Sequence, residues 1–431
     1  MNLTRDRGGF LRRATPEVLP SALGWSPSWG IYRDPRSQRY RVGLDPASRL
    51  VSTTNTYYIA KPADGGSDLN TGTTIGSPFA SVWKAINAAG VTASTIYIKA
   101  GRYDYENAVS GLNVGFGCNL IGYGGRVVLT TQPNTVSWSD AGSGAWSTTY
   151  ATTPYGVVDE SNRDAYGVGT WLTAQASVAA VQSSGGWFWS AGTLTIKTFD
   201  ARTPDSSIVA PLSSASRWSF RAVSSVNVYM SGIDFLGGYR CAAHAVGQFT
   251  AVDCTFGYAE YIGWEVVTAT ETHLWRCKAI GTYGTGGAGG DGIGYQAASA
   301  GNGLEVDCDA LSNGWDGVGI SNGSSTHGSR VIRCGGRYMS NQGPNLADVL
   351  NVAAGLSVNL GCMVGASRGT AGTSRSNIAT DGNGSTMWLA DCTLDGSGTQ
   401  DLWTGTTGGS VINLRATGYS GSTGSGTVGT W

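Results

Sequence analysis

The sequence predicts an all-β solenoid, a parallel β-helix, and three observations predict it. The first is composition. Glycine supplies 66 of 431 residues and charged residues only 13%, about half the usual share of ~25%, while 41% are apolar. Such a chain is turn-dense yet has ample material for a core. The second is a repeat ending in cysteine: Ala-Val-Asp-Cys254, Leu-Trp-Arg-Cys277, Glu-Val-Asp-Cys308, Val-Ile-Arg-Cys334, Asn-Leu-Gly-Cys362 and Leu-Ala-Asp-Cys392. The gaps are 23, 31, 26, 28 and 30 residues, within the 20–50-residue periods of solenoids and arrays. The third is the glycine-rich character of the spacers, such as 281–294, which excludes the long amphipathic helices of a helical solenoid.

The same numbers exclude other classes. Too few of the residues are Ala, Glu, Lys, Leu and Arg for a coiled coil. No apolar run approaches the ~18 residues of a membrane-spanning helix. With 28 basic residues against 29 acidic ones, the chain is not a nucleic-acid binder.

Each repeat segment alternates apolar and polar residues, as a strand with one buried face does. Cysteine then reads as a small inward hydrophobe stacked from coil to coil. Stacked neighbours rarely meet disulfide geometry, and with no CxxC pair and three histidines, zinc is not indicated. By the same alternation Trp275 points inward and Arg333 outward.

Residues 1–55 form a separate zone. The first fifty hold nine arginines, no lysine and four acidic residues, for a net charge of +5, together with five prolines. Proline favours extended or irregular backbone rather than sheet. Phe10, Leu11, Trp25, Trp29, Ile31 and Tyr32 suit an anchor that orders on a larger assembly, the alternative being a solvated tail. The arginines are followed by no apolar stretch and cleavage site of a secretory signal.

Residues 56–134 carry the cap and first coils. Within them Tyr57-Tyr-Ile-Ala-Lys-Pro, Gly66-Ser-Asp68-Leu-Asn70-Thr-Gly72, Ser77-Pro78-Phe79-Ala-Ser-Val-Trp83-Lys-Ala-Ile86 and Thr95-Ile96-Tyr97-Ile98 read as strand, turn, short helix and strand. Phe79, Val82, Trp83 and Ile86 share the helix's apolar face, which covers the open end of the first coil. This stretch resembles the opening of right-handed parallel β-helix proteins, the pectate-lyase-like superfamily of polysaccharide lyases and phage spikes. Later, Ser312-Asn313-Gly-Trp315-Asp316-Gly, Ser325-Thr-His327-Gly-Ser-Arg330 and Asn341-Gln-Gly-Pro344-Asn345-Leu-Ala-Asp348 resemble β-helix proteins of the phage and prophage spike type. The resemblance implies a right-handed helix, a homotrimer, a virion-surface location and a host surface glycan as partner; residues 1–50 resemble no recognised family, and as an anchor they would meet other virion proteins. No membrane partner is expected.

Residues 135–212 break the coil rhythm and read as a β-rich insertion. Trp187 and Trp189 share one face, as its core or as a sugar-stacking platform. Residues 213–395 hold the repeat, and 396–431 form a Gly/Ser/Thr-rich end.

Counting from the repeat cysteines places Asp291 and Asp348 at equal offsets, two coils apart, with Asp316 between them and His327 nearby. Two carboxylates about 9–10 Å apart stand at the upper edge of the spacing used by inverting glycosidases. Asp291, Asp316, Asp348 and His327 are therefore the candidate acid–base cluster. Asp-Gly is equally a turn dipeptide, which is the structural alternative. Trp315, Asn341, Asn345 and Arg337 are the candidate substrate contacts. A lyase needs a basic residue such as Arg330, Arg333 or Arg337, and calcium on Asp307, Asp309 and Asp316 is conceivable; otherwise no cofactor and no metal site is indicated. Function then divides three ways: a virion spike or fibre that attaches to host polysaccharide, a polysaccharide hydrolase or lyase, or a structural decoration protein.

Overall fold

The computed structural model describes residues 3–5, 11–35, 37–104, 111–132, 137–212, 219–223, 225–242, 246–266, 270–283, 293–297, 301–320, 329–349, 355–368, 376–381, 384–395, 400–405, 409–420, 422–424 and 426–431. Strands stack in parallel from coil to coil into a right-handed parallel β-helix of three sheets. The first sheet includes Val246–Val252, Glu271–Trp275, Asn302–Val306, Arg330–Cys334, Leu356–Leu360 and Thr386–Ala390. The second includes Ile233–Leu236, Thr255–Gly257, Lys278–Ile280, Asp309–Leu311 and Arg337–Met339. The third runs through eight described strands from Arg240–Ala242 to Ser422–Gly424.

One residue turns the chain from the first sheet to the second. Asp253, Arg276, Asp307 and Asp391 each have φ near +50° (52°, 49°, 51° and 52°), and Gly335 and Gly361 occupy the same corner at 74° and 62°. Such left-handed bends cost non-glycine residues roughly 1–2 kcal/mol each. Every corner amide offsets this by donating to the next coil: Asp253 N to Trp275 O at 2.9 Å, Arg276 N to Val306 O at 2.8 Å and Asp307 N to Cys334 O at 2.9 Å.

The corner residue breaks the inside–outside alternation, and in one coil the cysteine falls before that corner; together these correct three sequence expectations. Cys277 and Leu274 both point inward, so Trp275 between them faces outward. Arg333 pairs in register with inward Glu305 and is 1% exposed, inside the coil rather than outside it. Cys334 pairs with Val306 and Leu360, two places short of the cysteine column. That column place is filled by Gly336, whose neighbours across the stack are Cys308 and Cys362. All eight cysteines are buried free thiols.

The interior carries two polar arrangements among the apolar side chains. Arg333 Nε meets Glu305 Oε2 at 3.2 Å, Tyr338 donates to the same oxygen at 3.0 Å, and Arg333 Nη1 donates to Asn359 at 3.2 Å. At the corner between the second and third sheets, Asn313, Asn341, Asn345 and Asn377 form a ladder. Each side-chain amide donates to the next carbonyl oxygen at 2.7–2.9 Å, ending on Asp401 at 2.9 Å.

The first coil is closed by helix α1, Val82–Ala89, which buries Val82, Ala85, Ile86 and Ala89. Ser81 caps it, accepting from Lys84 N at 3.1 Å, and Asp68 in turn accepts from Ala80 N and Ser81 N. Trp83 departs from the expected apolar face and is 48% exposed, because the buried face of the helix runs through Val82, Ala85, Ile86 and Ala89.

Residues 14–50 lie along the first sheet rather than apart from it. Thr15–Pro16, Ile31–Arg33 and Tyr40–Val42 form a small antiparallel sheet, so the prolines do not prevent strand pairing; they sit at its edge and in its connections. Leu23, Trp29, Ile31 and Tyr40 cover Trp275, Ile332, Leu360 and Trp388 on the sheet's outer face. Ion pairs fasten this strap: Arg33 to Asp391 at 2.7 Å and Arg415 to Glu17 at 2.5 Å. Tyr40 also donates to Asp391, and Arg330 Nε donates to Leu23 O at 2.9 Å. Trp275→Ala is expected to cost about 3–5 kcal/mol in denaturant unfolding and to open residues 14–50 to limited proteolysis. Trp83→Ala, at an exposed position, is expected to stay within about 0.5 kcal/mol of the parent.

Candidate functional site

The insertion is built from two small antiparallel sheets. Ser139–Gly142, Ala145–Thr149, Thr193–Lys197 and Gly186–Ser190 form one, and Gly169–Trp171, Val158–Arg163 and Ile208–Val209 the other. Helix α2, Val178–Ser184, packs beside the first, capped by Ser177, whose hydroxyl accepts from Ala180 N at 3.2 Å. Trp187 is buried in the core of this unit, and Trp189 packs against it while donating to Tyr150 O at 2.7 Å. Both are core residues, not a platform. Arg202 braces the unit through paired bonds to Asp159 at 2.6 and 2.9 Å. Burial alone would raise the Asp159 pKa, but the bonds from Arg202 and Ser161 hold it below the usual carboxylate value.

The three-stranded piece seats the insertion on the second sheet. Val158, Val168 and Val209 pack on Val128, Leu236, Leu311 and Met339, with Tyr258 between them. Trp171 donates to Gly281 O at 2.9 Å and its ring meets Tyr283 with centroids 4.8 Å apart. Ser312 donates to Asp164, closing the contact at the insertion's tip.

Beside this seat an open groove of about 250 Å³ runs between insertion and sheet. Its floor is apolar, from Val168, Ile280 and Leu311. Its rim is charged. Asp234, Thr255, Lys278, Asp309 and Arg337 stand at one register position in successive coils, ~4.8 Å apart. Arg337 is fixed by a two-pronged bond to Asp309, at 2.6 and 3.1 Å. Arg126 bridges Asp234 at 2.6 Å and Glu160 at 3.1 Å, tying the sheet to the insertion. These pairings hold both guanidinium pKa values above the ordinary range, against the opposing effect of burial. From the insertion side Arg163 and Tyr166 complete the rim. A groove with an apolar floor and several fixed donors and acceptors can hold a polyhydroxylated ring by face contact and hydrogen bonds.

Of the sequence-predicted residues, Arg337 alone lies on this groove. Asp291 and His327 fall outside the described residues. Asp348 lies two residues after Leu346, whereas Asp316 lies two before Val318, the register partner of Leu346, so the backbone does not bring the two to one position. The offset assigned to Asp348 fails because it was counted from Cys334, which is off the cysteine column. Asn341 and Asn345 are fully buried in the amide ladder with both ends of each amide bonded, so they are not substrate contacts. Trp315 is half-buried in the turn before Asp316.

The arginines proposed for a lyase are dispersed: Arg330 holds the strap, Arg333 is interior and Arg337 is paired. Asp309 is committed to Arg337, and among the described residues no group of three His, Cys, Asp or Glu side chains is arranged to hold a metal ion. Sequence reasoning missed Arg126, Arg163 and Lys278. A signal for Lys278 was available, because the residue after each column cysteine is the outward one on the second sheet.

Asp316 has a distinct environment. Its Oδ1 is closed from solvent with no hydrogen-bond partner, packed so tightly on the next coil that a Cβ at Gly343 would meet it at 2.2 Å. Burial pushes its pKa up to about 8.

No family model and no curated relative matches this chain. Among solved structures it is similar to the pectate lyase Pel9A, at 13% identity and a TM-score of 0.45 over 88% of this chain and 82% of that one. XylC, solved in complex with xylose, is similar at 11% identity and a TM-score of 0.47 over 84% and 70%. The tailspike protein gp49 of Pseudomonas phage LKA1 gives 13% identity and a TM-score of 0.26 over 78% and 64%.

Asp316 generates a pH prediction. Its folded pKa lies above the unfolded value near 4, so its contribution favours the fold fully below pH 4 and is lost as pH rises towards 8. Asp316→Asn, neutral throughout, is expected to melt several degrees above the parent at pH 8 and level with it at pH 4. Parallel melting curves across the pH range check this.

Proposed function

We propose that this chain is a polysaccharide-binding β-helix whose glycan lies in the groove between the insertion and the second sheet. The observation that carries the proposal is the groove itself: an apolar floor under a rim of charged side chains, each fixed by a rigid strand or by a salt bridge. Preorganised donors of this kind lose little entropy on binding, which suits a weakly hydrophobic, heavily hydrated ligand. Attachment of a virion to host surface polysaccharide, as a trimeric spike, is the setting we propose. It rests on the resemblance of 57–103 and 312–348 to phage-type β-helices.

A second reading, cleavage of the bound glycan, is favoured by one observation. Asp316 would be a protonated carboxyl at neutral pH, the state a general acid requires. Its place outside the groove lining and its packing against the Gly343 turn weigh on the side of binding alone.

Incubating the purified protein with a panel of bacterial capsular and lipopolysaccharide glycans, and following binding by calorimetry and chain length by size-exclusion, tests both. Binding that is abolished by Tyr166→Ala with Arg337→Ala, with chains left intact, is the expected result. Shortened chains that persist in the Asp316→Asn variant would assign cleavage to other residues. Absence of binding across the panel would end the groove reading.

A further inference from the structure

The charges on the groove rim are not equally committed. Arg337 is satisfied by Asp309, and Arg126 by Asp234 and Glu160. Lys278 makes no ion pair among the described residues, although it stands one coil from Asp309 on one side and from Thr255 on the other. Arg163 is oriented by neutral acceptors only, with Nε donating to Glu160 O at 2.8 Å and Nη1 near Gly167 O at 3.4 Å. Its neighbour Asp164 is turned into its own loop, accepting from Tyr166 N at 2.8 Å and Val168 N at 3.0 Å and from Ser312. The groove therefore has two exposed cations, one from each wall, whose charge no carboxylate among the described residues cancels.

We infer that the groove selects anionic saccharides, with Lys278 from the sheet and Arg163 from the insertion receiving a carboxylate or sulfate group carried by the sugar. This rests on the glycan reading and refines it. Two cations facing across an apolar floor focus positive potential there, because the low-dielectric wall under the groove screens little. Neutral acceptors hold Arg163 in place without neutralising it, which is how a binding arginine differs from a structural one such as Arg337. A guanidinium and an ammonium receiving one anionic group form charge-assisted bonds, stronger than those a hydroxyl would accept. A neutral sugar in the same place would gain the floor contacts and lose those bonds.

A matched ligand pair tests the inference. A uronic-acid oligosaccharide and the same oligosaccharide after carboxyl reduction differ only in charge at the acid position, and a sulfated neutral oligosaccharide separates carboxylate from sulfate recognition. Calorimetry with the full chain is expected to show the acidic ligand binding about tenfold or more tighter than its reduced form, with the margin narrowing as salt rises. In Arg163→Gln with Lys278→Gln the acidic ligand should bind no better than the reduced one does to the parent, with the melting temperature unchanged. Preference for the sulfated ligand would assign the anion as sulfate and leave the inference standing. Equal affinity for acidic and reduced ligands overturns the inference while the glycan reading survives; no binding of any of the three ends both.

Discussion

The coil-to-coil register at one corner is the constraint on which the rest of the molecule depends. From Gly232 to Asp391 each coil passes from the first to the second sheet through a single residue with positive φ, and each such residue donates its amide to the next coil. A bend of one residue, repeated without slippage, places equivalent side chains in columns. A slip of one residue would carry every column to the opposite face. Two consequences follow: interior positions can hold like on like, as the cysteines and asparagines do, and outward positions form straight rows of side chains at strand spacing.

That corner also separates what was legible in the sequence from what was not. The cysteine spacing revealed the coils because thiols are small enough to stack on the inward side of the bend. Alternation, however, was carried through the corner as though the strand were continuous. The bend consumes one residue, so parity reverses across it, and Trp275 takes the face opposite to the one alternation assigned it; Arg333, on the near side of the bend, points inward because its neighbour Cys334 points outward. Cys334 compounded this, because its coil holds Gly335 at the corner and Gly336 in the column, and the cysteine is displaced onto the outer face. The offsets that grouped the aspartates inherited that displacement. Asn341 and Asn345 misled for another reason. Asparagine is a surface residue in most contexts, and only the stacking of successive coils supplies the amide neighbours that satisfy it inside.

Polar groups in the interior bear on the rigidity of the outer rows. Arg333, Glu305, Tyr338 and Asn359 hydrogen-bond to one another, and the asparagine ladder does so over several coils. A buried ion pair of this sort adds little net stability over well-packed apolar side chains, but breaking it by removing one partner leaves an uncompensated charge. Each arrangement thus penalises any relative movement of neighbouring coils. The rows outside, Lys278, Asp309 and Arg337 among them, are held by strands that cannot shift without exposing unsatisfied groups within.

Two of the sheets carry large apolar side chains on their outer faces, and each is covered by a different part of the chain: the first by the strap, the second by the insertion. On the second sheet the covered and uncovered columns lie only two residues apart in the same strands. Met339 seats the insertion, Ile280 and Leu311 run from that seat into the floor of the groove, and Lys278 and Arg337 stand on its rim. Seat and rim are therefore one mechanical object. A change that loosens the apolar seat must move Arg163 and Tyr166 relative to Lys278, widening the groove without touching any group that faces a ligand. The width of the groove is thus set by hydrophobic packing together with the Arg126 tie between Asp234 and Glu160.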